Sequence, residues 1–269
     1  MVFHAHPDDE AIATGGTMAR AAAEGHRVVL VVATRGEQGE VPEGMLATGE
    51  SLAERRVAET GAAAEVLGVA RVAFLGYEDS GMAGEATNDA PGSFWQADVD
   101  EAADRLAAIL VEERARVLTA YDANGVYGHP DHIQVHRVGV RAAARAGVER
   151  LYLATVDRDH VRGAMAAAVA SGRALPGDLD GDLVEHLGVP GAEVTTAVDV
   201  RPWLVQKRAA MAAHASQISE GSYFLALDGD LFAGAFGTEW YLRHGAPPPA
   251  PGFEVETDLL AGLSPEGPG

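Results

Sequence analysis

Short β-branched runs alternate with Ala-rich amphipathic stretches through the first half of the chain, and this alternation limits the fold more than any other feature. Residues 2–5, 28–33, 72–75, 117–121 and 151–156 read as strands. Residues 11–24, 50–67, 99–113 and 131–146 read as helices, three of them closed by Gly25, Gly68 and Gly147. The run VVLVVA at 28–33 is apolar at every position, as expected of a strand covered on both faces. Strand–helix repetition with short links folds most economically into a parallel sheet flanked by helices. The expected class is therefore α/β, a Rossmann-like, mostly parallel sheet.

The second half is less regular. Residues 159–171 read as a helix, 172–191 as an acidic, glycine-rich surface loop, and 194–198 as a strand. Residues 202–215 read as a helix with Pro202 in its first turn. Phe224, Phe232, Phe236, Trp240 and Tyr241 are spaced as packing residues of a compact terminal unit, with Trp95 a candidate rim aromatic. Lys207, beside Arg208, reads as a solvated helix charge. The expected division is an α/β core over 1–156, a smaller C-terminal subdomain over 157–245 that completes the pocket, and a Pro/Gly-rich acidic tail over 246–269.

Composition removes several classes of function. The chain of 269 residues has no cysteine. Disulfide frameworks, Cys-ligated zinc, iron–sulfur clusters and thiol nucleophiles are excluded. A formal net charge of −20 disfavours nucleic acid and anionic membranes as partners. No basic leader with an apolar run opens the chain, and no stretch approaches the roughly 18 apolar residues of a membrane span. A soluble cytoplasmic protein is the default expectation, with a homo-oligomeric state left open.

Half of the ten histidines fall in two clusters, His4 and His6 in the first and His129, His132 and His136 in the second. Both clusters sit where a strand gives way to a helix, the edge at which α/β sheets bind ligands. In HAHPDDE (4–10), His6, Asp8 and Asp9 crowd one turn held by Pro7. Such groups repel one another unless a cation or hydrogen bonds compensate. In YDANGVYGHPDHIQVH (121–136), His129 and His132 lie one helical turn apart. If His132 joins His6 and Asp9, the three form a two-histidine, one-carboxylate set with an open position, as in catalytic zinc sites. Asp8 would then be free to take a proton from water, and His129 to act on substrate. Asp131 could orient His129 and raise its pKa, and Tyr127 could donate to an oxyanion. Gly15 and Gly16 suggest close packing; no phosphate-loop spacing accompanies them.

AHPDDE at 5–10 and GHPDH at 128–132, with DSGM at 79–82 and AHASQ at 213–217, closely resemble the PIG-L/LmbE-like family of zinc-dependent N-acetylglucosamine deacetylases. The likeness spans roughly residues 1–245, and the actinobacterial mycothiol-pathway members look nearest. The resemblance implies an LmbE-like fold and one Zn2+ held by His6, Asp9 and His132, a ligand set that also accepts Fe2+. It implies Asp8 as general base, His129 and Asp131 assisting, and Tyr127 supporting the tetrahedral intermediate. Substrate contacts fall to Arg56 (or Arg55), Asp79, Met82 and His214, while His4 is structural. The implied reaction is hydrolysis of the acetamide of an N-acetylglucosamine-containing small molecule, releasing acetate and a free amine. Either Asp8 or His129 would protonate the leaving amine. Two alternatives are an amidase acting on a mycothiol-like conjugate or an acylated glycosylated natural product, and a metal-dependent sugar-binding module without catalysis.

Overall fold

A computed structural model of the chain describes residues 1–170, 181–247, 249–250, 252 and 254–264. β1 (Val2–His4) runs into α1 (Asp9–Ala13) and α2 (Gly15–Ala23). There follow β2 (Val29–Val32), α3 (Leu52–Leu67), β3 (Arg71–Phe74), α4 (Val99–Glu112) and β4 (Val117–Tyr121). A single turn, α5 (Gly125–Gly128), precedes α6 (Pro130–Ala146), β5 (Arg150–Thr155), α7 (Arg158–Ala170) and α8 (Gly181–His186). The chain continues through β6 (Thr196–Asp199), α9 (Leu204–Ala213), α10 (Tyr223–Ala226), α11 (Gly229–Phe236) and β7 (Thr238–Arg243).

These strands form one seven-stranded sheet in the order β3-β2-β1-β4-β5-β7-β6. Pairing is parallel from β3 through β5, and β7 lies antiparallel to both β5 and β6. The strand alternation explains the two-sided core. Phe3, Val29 and Val31 face a cluster with Leu106 and Leu110 of α4 and Val135 and Val138 of α6. Val2, Leu30 and Val32 face the other way, onto Met18 of α2, Leu67 of α3 and Met211 of α9. Every residue of β2 is therefore buried, which is why its sequence shows no polar alternation.

Helix ends follow their sequence signals. Ser51 and Glu54 form a reciprocal capping box at the start of α3, and Gly68 closes it at φ 72°. Gly147 closes α6 at φ 66°. The expected helix over 11–24 is instead two, α1 and α2, divided at Thr14. The aromatic stretch contains a strand: β7 inserts between β5 and β6, so the C-terminal part completes the same sheet. The tail lies along β6, where Glu256 bridges Thr196 and Leu259 is buried. Within the expected acidic loop, 172–180 lie outside the described residues, as do 265–269 of the tail. Among the described residues no helix is long and apolar enough to cross a membrane.

Lys207 corrects the sequence expectation. It is not a solvated helix charge but is 1% exposed, its Nζ 2.5 Å from Glu239 Oε1. The Glu239 carboxylate also accepts from the backbone N–H groups of Gly16 and Thr17, each at 2.8 Å. An acid thus closes the N-terminal end of α2, where helix N–H groups lack partners. Gly16 also lets α2 pack directly on Val200, since a Cβ there would meet Val200 Cβ at 2.3 Å. Removing one partner of a buried pair leaves the other charge uncompensated. Lys207→Ala is expected to lower the unfolding free energy by about 3–5 kcal/mol in urea titration.

Candidate metal and catalytic centre

The site lies where the strand order reverses. From β1 the chain builds outward to β2 and β3, then returns to place β4 on the other side of β1. The loops leaving β1 and β4 therefore diverge to form a crevice, and each carries one histidine-rich motif.

The first loop is unusually constrained. Asp8 stands at the N-cap of α1 with φ 98° and ψ −33°, and its side chain makes no capping bond. A non-glycine residue held in such a region costs on the order of 1–3 kcal/mol, so the surroundings must enforce it. Arg56, buried on α3, donates from Nη2 to Pro7 O at 2.5 Å and to Asp8 Oδ2 at 3.2 Å, and from Nη1 to Gly36 O at 2.8 Å. His6 N–H donates to Asp9 Oδ2 at 2.9 Å, and Asp8 N–H to Glu10 Oε2 at 3.0 Å.

The second loop is shaped by Asp122, whose Oδ1 accepts from the N–H groups of Asn124 and Val126, each at 3.0 Å. Gly125, Val126 and Gly128 all take positive φ. A Cβ on Gly125 would meet His132 Cβ at 2.6 Å, so glycine lets this loop lie directly on α6. His129 caps α6 by accepting the Asp131 N–H on Nδ1 at 3.1 Å, with Pro130 in the first turn. His132 faces the crevice from that turn, stacked on Tyr121 with ring centroids 4.5 Å apart. The Tyr121 hydroxyl meets His4 Nδ1 at 2.6 Å, and His4 Nε2 meets Thr14 Oγ1 at 2.8 Å.

The two loops converge on Asp9. Its Oδ2 lies 3.5 Å from His6 Nδ1 and 3.4 Å from His132 Nε2. Both ring nitrogens of His132 are buried without a hydrogen-bond partner, an arrangement that favours a bound cation. Two groupings have donor atoms close enough to hold a metal: His6, His129 and His132, and His6, Asp79 and Asp131. The second grouping is already engaged. Asp131 accepts from Ser80 N–H at 2.9 Å, from Ser80 Oγ and from His6 Nε2 at 3.1 Å. Asp79 accepts from the Gln38 and Gly81 N–H groups. These carboxylates orient His6 from behind, as carboxylate partners of metal-binding histidines do.

Electrostatics follows the same division. Burial raises Asp8 to about 6 even though Arg56 opposes the shift. Burial would raise Asp9 too, but His132 and His6 draw it well below the usual carboxylate range. Burial would lower His6, yet Asp131, Asp79 and Asp9 hold it well above its ordinary value. His129 is pushed down to about 4 by burial and by the charges of His6 and His132. Burial and the Asp9 carboxylate raise the Tyr127 phenol.

Most expected site residues gather here, with several in different roles. His6, Asp8, Asp9, Tyr127, His129 and His132 surround one crevice. The Asp131 carboxylate is turned to His6 and Ser80, not to His129, which receives only its backbone N–H. The Asp131 charge does raise His129, as expected, but burial and the charges of His6 and His132 outweigh it, and the expected orienting bond from the carboxylate is absent. His214 does not line the pocket: it is fully buried, its Nε2 2.5 Å from Glu10 Oε1. Arg56 turns Nη2 to the 7–8 turn and Nη1 to Gly36 O, and Arg55 pairs with Glu50. Asp79 Oδ1 lies 3.4 Å from His6 Nε2, and Met82 is half exposed. His136 faces away from this set, its Nδ1–H donating to the Tyr121 carbonyl oxygen at 2.9 Å. Sequence reading passed over Glu10, Ser80 and Tyr121. Each adjoins a motif residue, which was the one available signal.

Comparison with known proteins gives a consistent picture. A model of the family PIG-L: GlcNAc-PI de-N-acetylase matches residues 1–143. The chain is 46% identical over 277 residues to a 1D-myo-inositol 2-acetamido-2-deoxy-alpha-D-glucopyranoside deacetylase of Acidothermus cellulolyticus, covering 98% of this chain and 94% of that one. A protein of the same description from Geodermatophilus obscurus is 43% identical over 98% of this chain and 97% of its own. The fold is shared with N,N'-diacetylchitobiose deacetylase from Pyrococcus horikoshii at a TM-score of 0.57 and 18% identity, over 92% of this chain and 82% of that one.

The Tyr121–His4 contact is open to test. Tyr121→Phe leaves a buried ring nitrogen of His4 without its partner and is expected to cost about 1–3 kcal/mol of stability in urea unfolding.

Proposed function

The chain belongs to the PIG-L family of GlcNAc-PI de-N-acetylases, and on that footing we propose that it is a metal-dependent deacetylase of an N-acetylglucosamine unit linked to inositol. The reaction adds water across the acetamide C–N bond and releases acetate and a free amine. The observation that carries the reading is the meeting of His6, Asp9 and His132 beside the carboxylate of Asp8, which makes no helix-capping bond and is held by Arg56. Near-full-length identity to relatives named for this reaction supports it.

His6, Asp9 and His132 would hold the cation, and zinc suits this mixture of imidazole and carboxylate. When bound, a divalent ion supplies Lewis acidity, polarising the carbonyl and making water more acidic. The side chains provide the rest. Asp8 takes the proton of the attacking water on its carboxylate, which Arg56 orients through Oδ2. Tyr127 lies over the crevice at 37% exposure, its phenol kept protonated by burial and by Asp9, and donates to the developing oxyanion. Asp8 can return its proton to the departing nitrogen. His129, pushed down to about 4, is a neutral ring whose Nδ1 accepts the Asp131 N–H, which leaves Nε2–H as a hydrogen-bond donor. Met82, half exposed, would border the sugar and its aglycone.

Metal-stripped protein is expected to release no acetate from an inositol-linked N-acetylglucosamine, and added zinc to restore release. Loss of one acetyl group is read by mass spectrometry. A metal-loaded, folded sample that left this substrate intact but cleaved a larger conjugate amide would redirect the substrate assignment. Asp8→Asn is expected to keep its metal while kcat falls by about 10²–10⁴-fold.

The pH dependence follows from the sign of the Asp8 shift. A base works ionised, so activity rises as pH climbs through its pKa. Asp8 is raised to about 6, and a neighbouring cation pulls it down. The acidic limb of kcat/KM is thus expected at or below about pH 6, and Asp8→Asn to erase it from the residual rate.

A further inference from the structure

An aspartate at a helix N-cap ordinarily spends its carboxylate on the helix's own N–H groups. Two others in this chain do so. Asp98 caps α4 at φ −60° and accepts from Asp100 and Glu101 N–H. Asp228 caps α11 at φ −65° and accepts from Leu231 N–H. Asp8 occupies the same position on α1 but sits at φ 98° with no side-chain capping bond. Something must keep it from the default.

Two groups act on the backbone of this turn. Arg56 holds the Pro7 carbonyl from one side. From the other, Glu10 Oε2 accepts the Asp8 N–H at 3.0 Å. Glu10 is 0% exposed, and its second oxygen, Oε1, is fixed by His214 Nε2 at 2.5 Å. His214 follows directly on α9 and is itself buried. The turn after it is tied to α3, where Glu59 accepts from Ser216 N–H at 2.9 Å and Ser216 Oγ at 2.7 Å. A carboxylate anchored from the C-terminal part of the chain thus holds the Asp8 N–H.

We infer that Glu10 and His214 are a positioning pair that holds Asp8 in its left-handed backbone and so denies it the capping role, leaving its carboxylate, held at Oδ2 by Arg56, available to the crevice. Neither residue touches substrate; both act through Asp8. The inference rests on the reading of Asp8 as the proton acceptor.

The test compares Glu10→Ala, Glu10→Gln and His214→Ala with wild type and Asp8→Asn, measuring kcat, KM, bound zinc and the Asp8 conformation by crystallography. Glu10→Ala is expected to keep full zinc and KM within about twofold while kcat falls roughly ten- to a hundredfold, the scale of a small misplacement of a catalytic group. Its Asp8 should relax to negative φ and accept from the N–H groups of α1. Glu10→Gln, which still offers an acceptor to the Asp8 N–H, should recover most of kcat. His214→Ala should lower kcat in the same way, and decides the matter if Glu10→Ala does not fold. Wild-type kcat in these variants beside an inactive Asp8→Asn would overturn the inference, as would a kcat loss matched by lost zinc, or an Asp8 still at positive φ in Glu10→Ala. An active Asp8→Asn would instead remove the base assignment, and the crystallographic result would still judge the backbone role.

Discussion

The reversal of strand order between β1 and β4 is the constraint on which the site depends. A parallel sheet exposes its loops at the carboxyl ends of its strands, and only at a reversal do neighbouring loops turn to opposite faces and leave a crevice. Here the two loops are more than a hundred residues apart in sequence, yet β1 and β4 are hydrogen-bonded neighbours. The two-sided apolar core fixes that adjacency. Phe3 and Val2 point to opposite clusters, so β1 cannot slip by one residue without exposing both.

The C-terminal part carries neither histidine-rich motif but locks the first of them. Lys207 and Glu239 close the start of α2, His214 holds Glu10, and Ser216 is held by Glu59 beside Arg56 on α3. Each is a buried charge or polar group with a partner from a distant segment, the condition under which such groups are tolerated in a core. The acid excess has two faces in consequence. Surface acids keep the chain soluble and self-repelling. The acids withdrawn from solvent around the site, among them the half-buried Asp8 and Asp9 and the buried Glu10, Asp79, Asp131 and Glu239, are each matched to a cation, a histidine or N–H groups.

Much of this was legible in the sequence. Strand β4 was bounded correctly, α6 was placed to within a residue, and both motif loops were set at the same sheet edge. Periodicity and glycine stops report local conformation directly, and the crowding of histidine with aspartate reports a shared partner. Errors fell on side chains whose roles depend on distant partners. Sequence proximity pairs Asp131 with His129, but two residues on, at the start of α6, its carboxylate points to His6 and Ser80. Lys207 lies on a helix with a polar neighbour, and nothing local signals that Glu239 waits opposite.

The sequence by itself determined the α/β class, the two motifs and the residue types able to bind a cation and move a proton, because these follow from local periodicity and side-chain chemistry. Only the tertiary structure decided which carboxylate faces which imidazole, that His214 stands behind Glu10 and away from the crevice, and that Asp8 is held out of its capping role. Those outcomes turn on contacts between segments far apart in the chain, and on a backbone angle that an aspartate adopts only when its surroundings impose it.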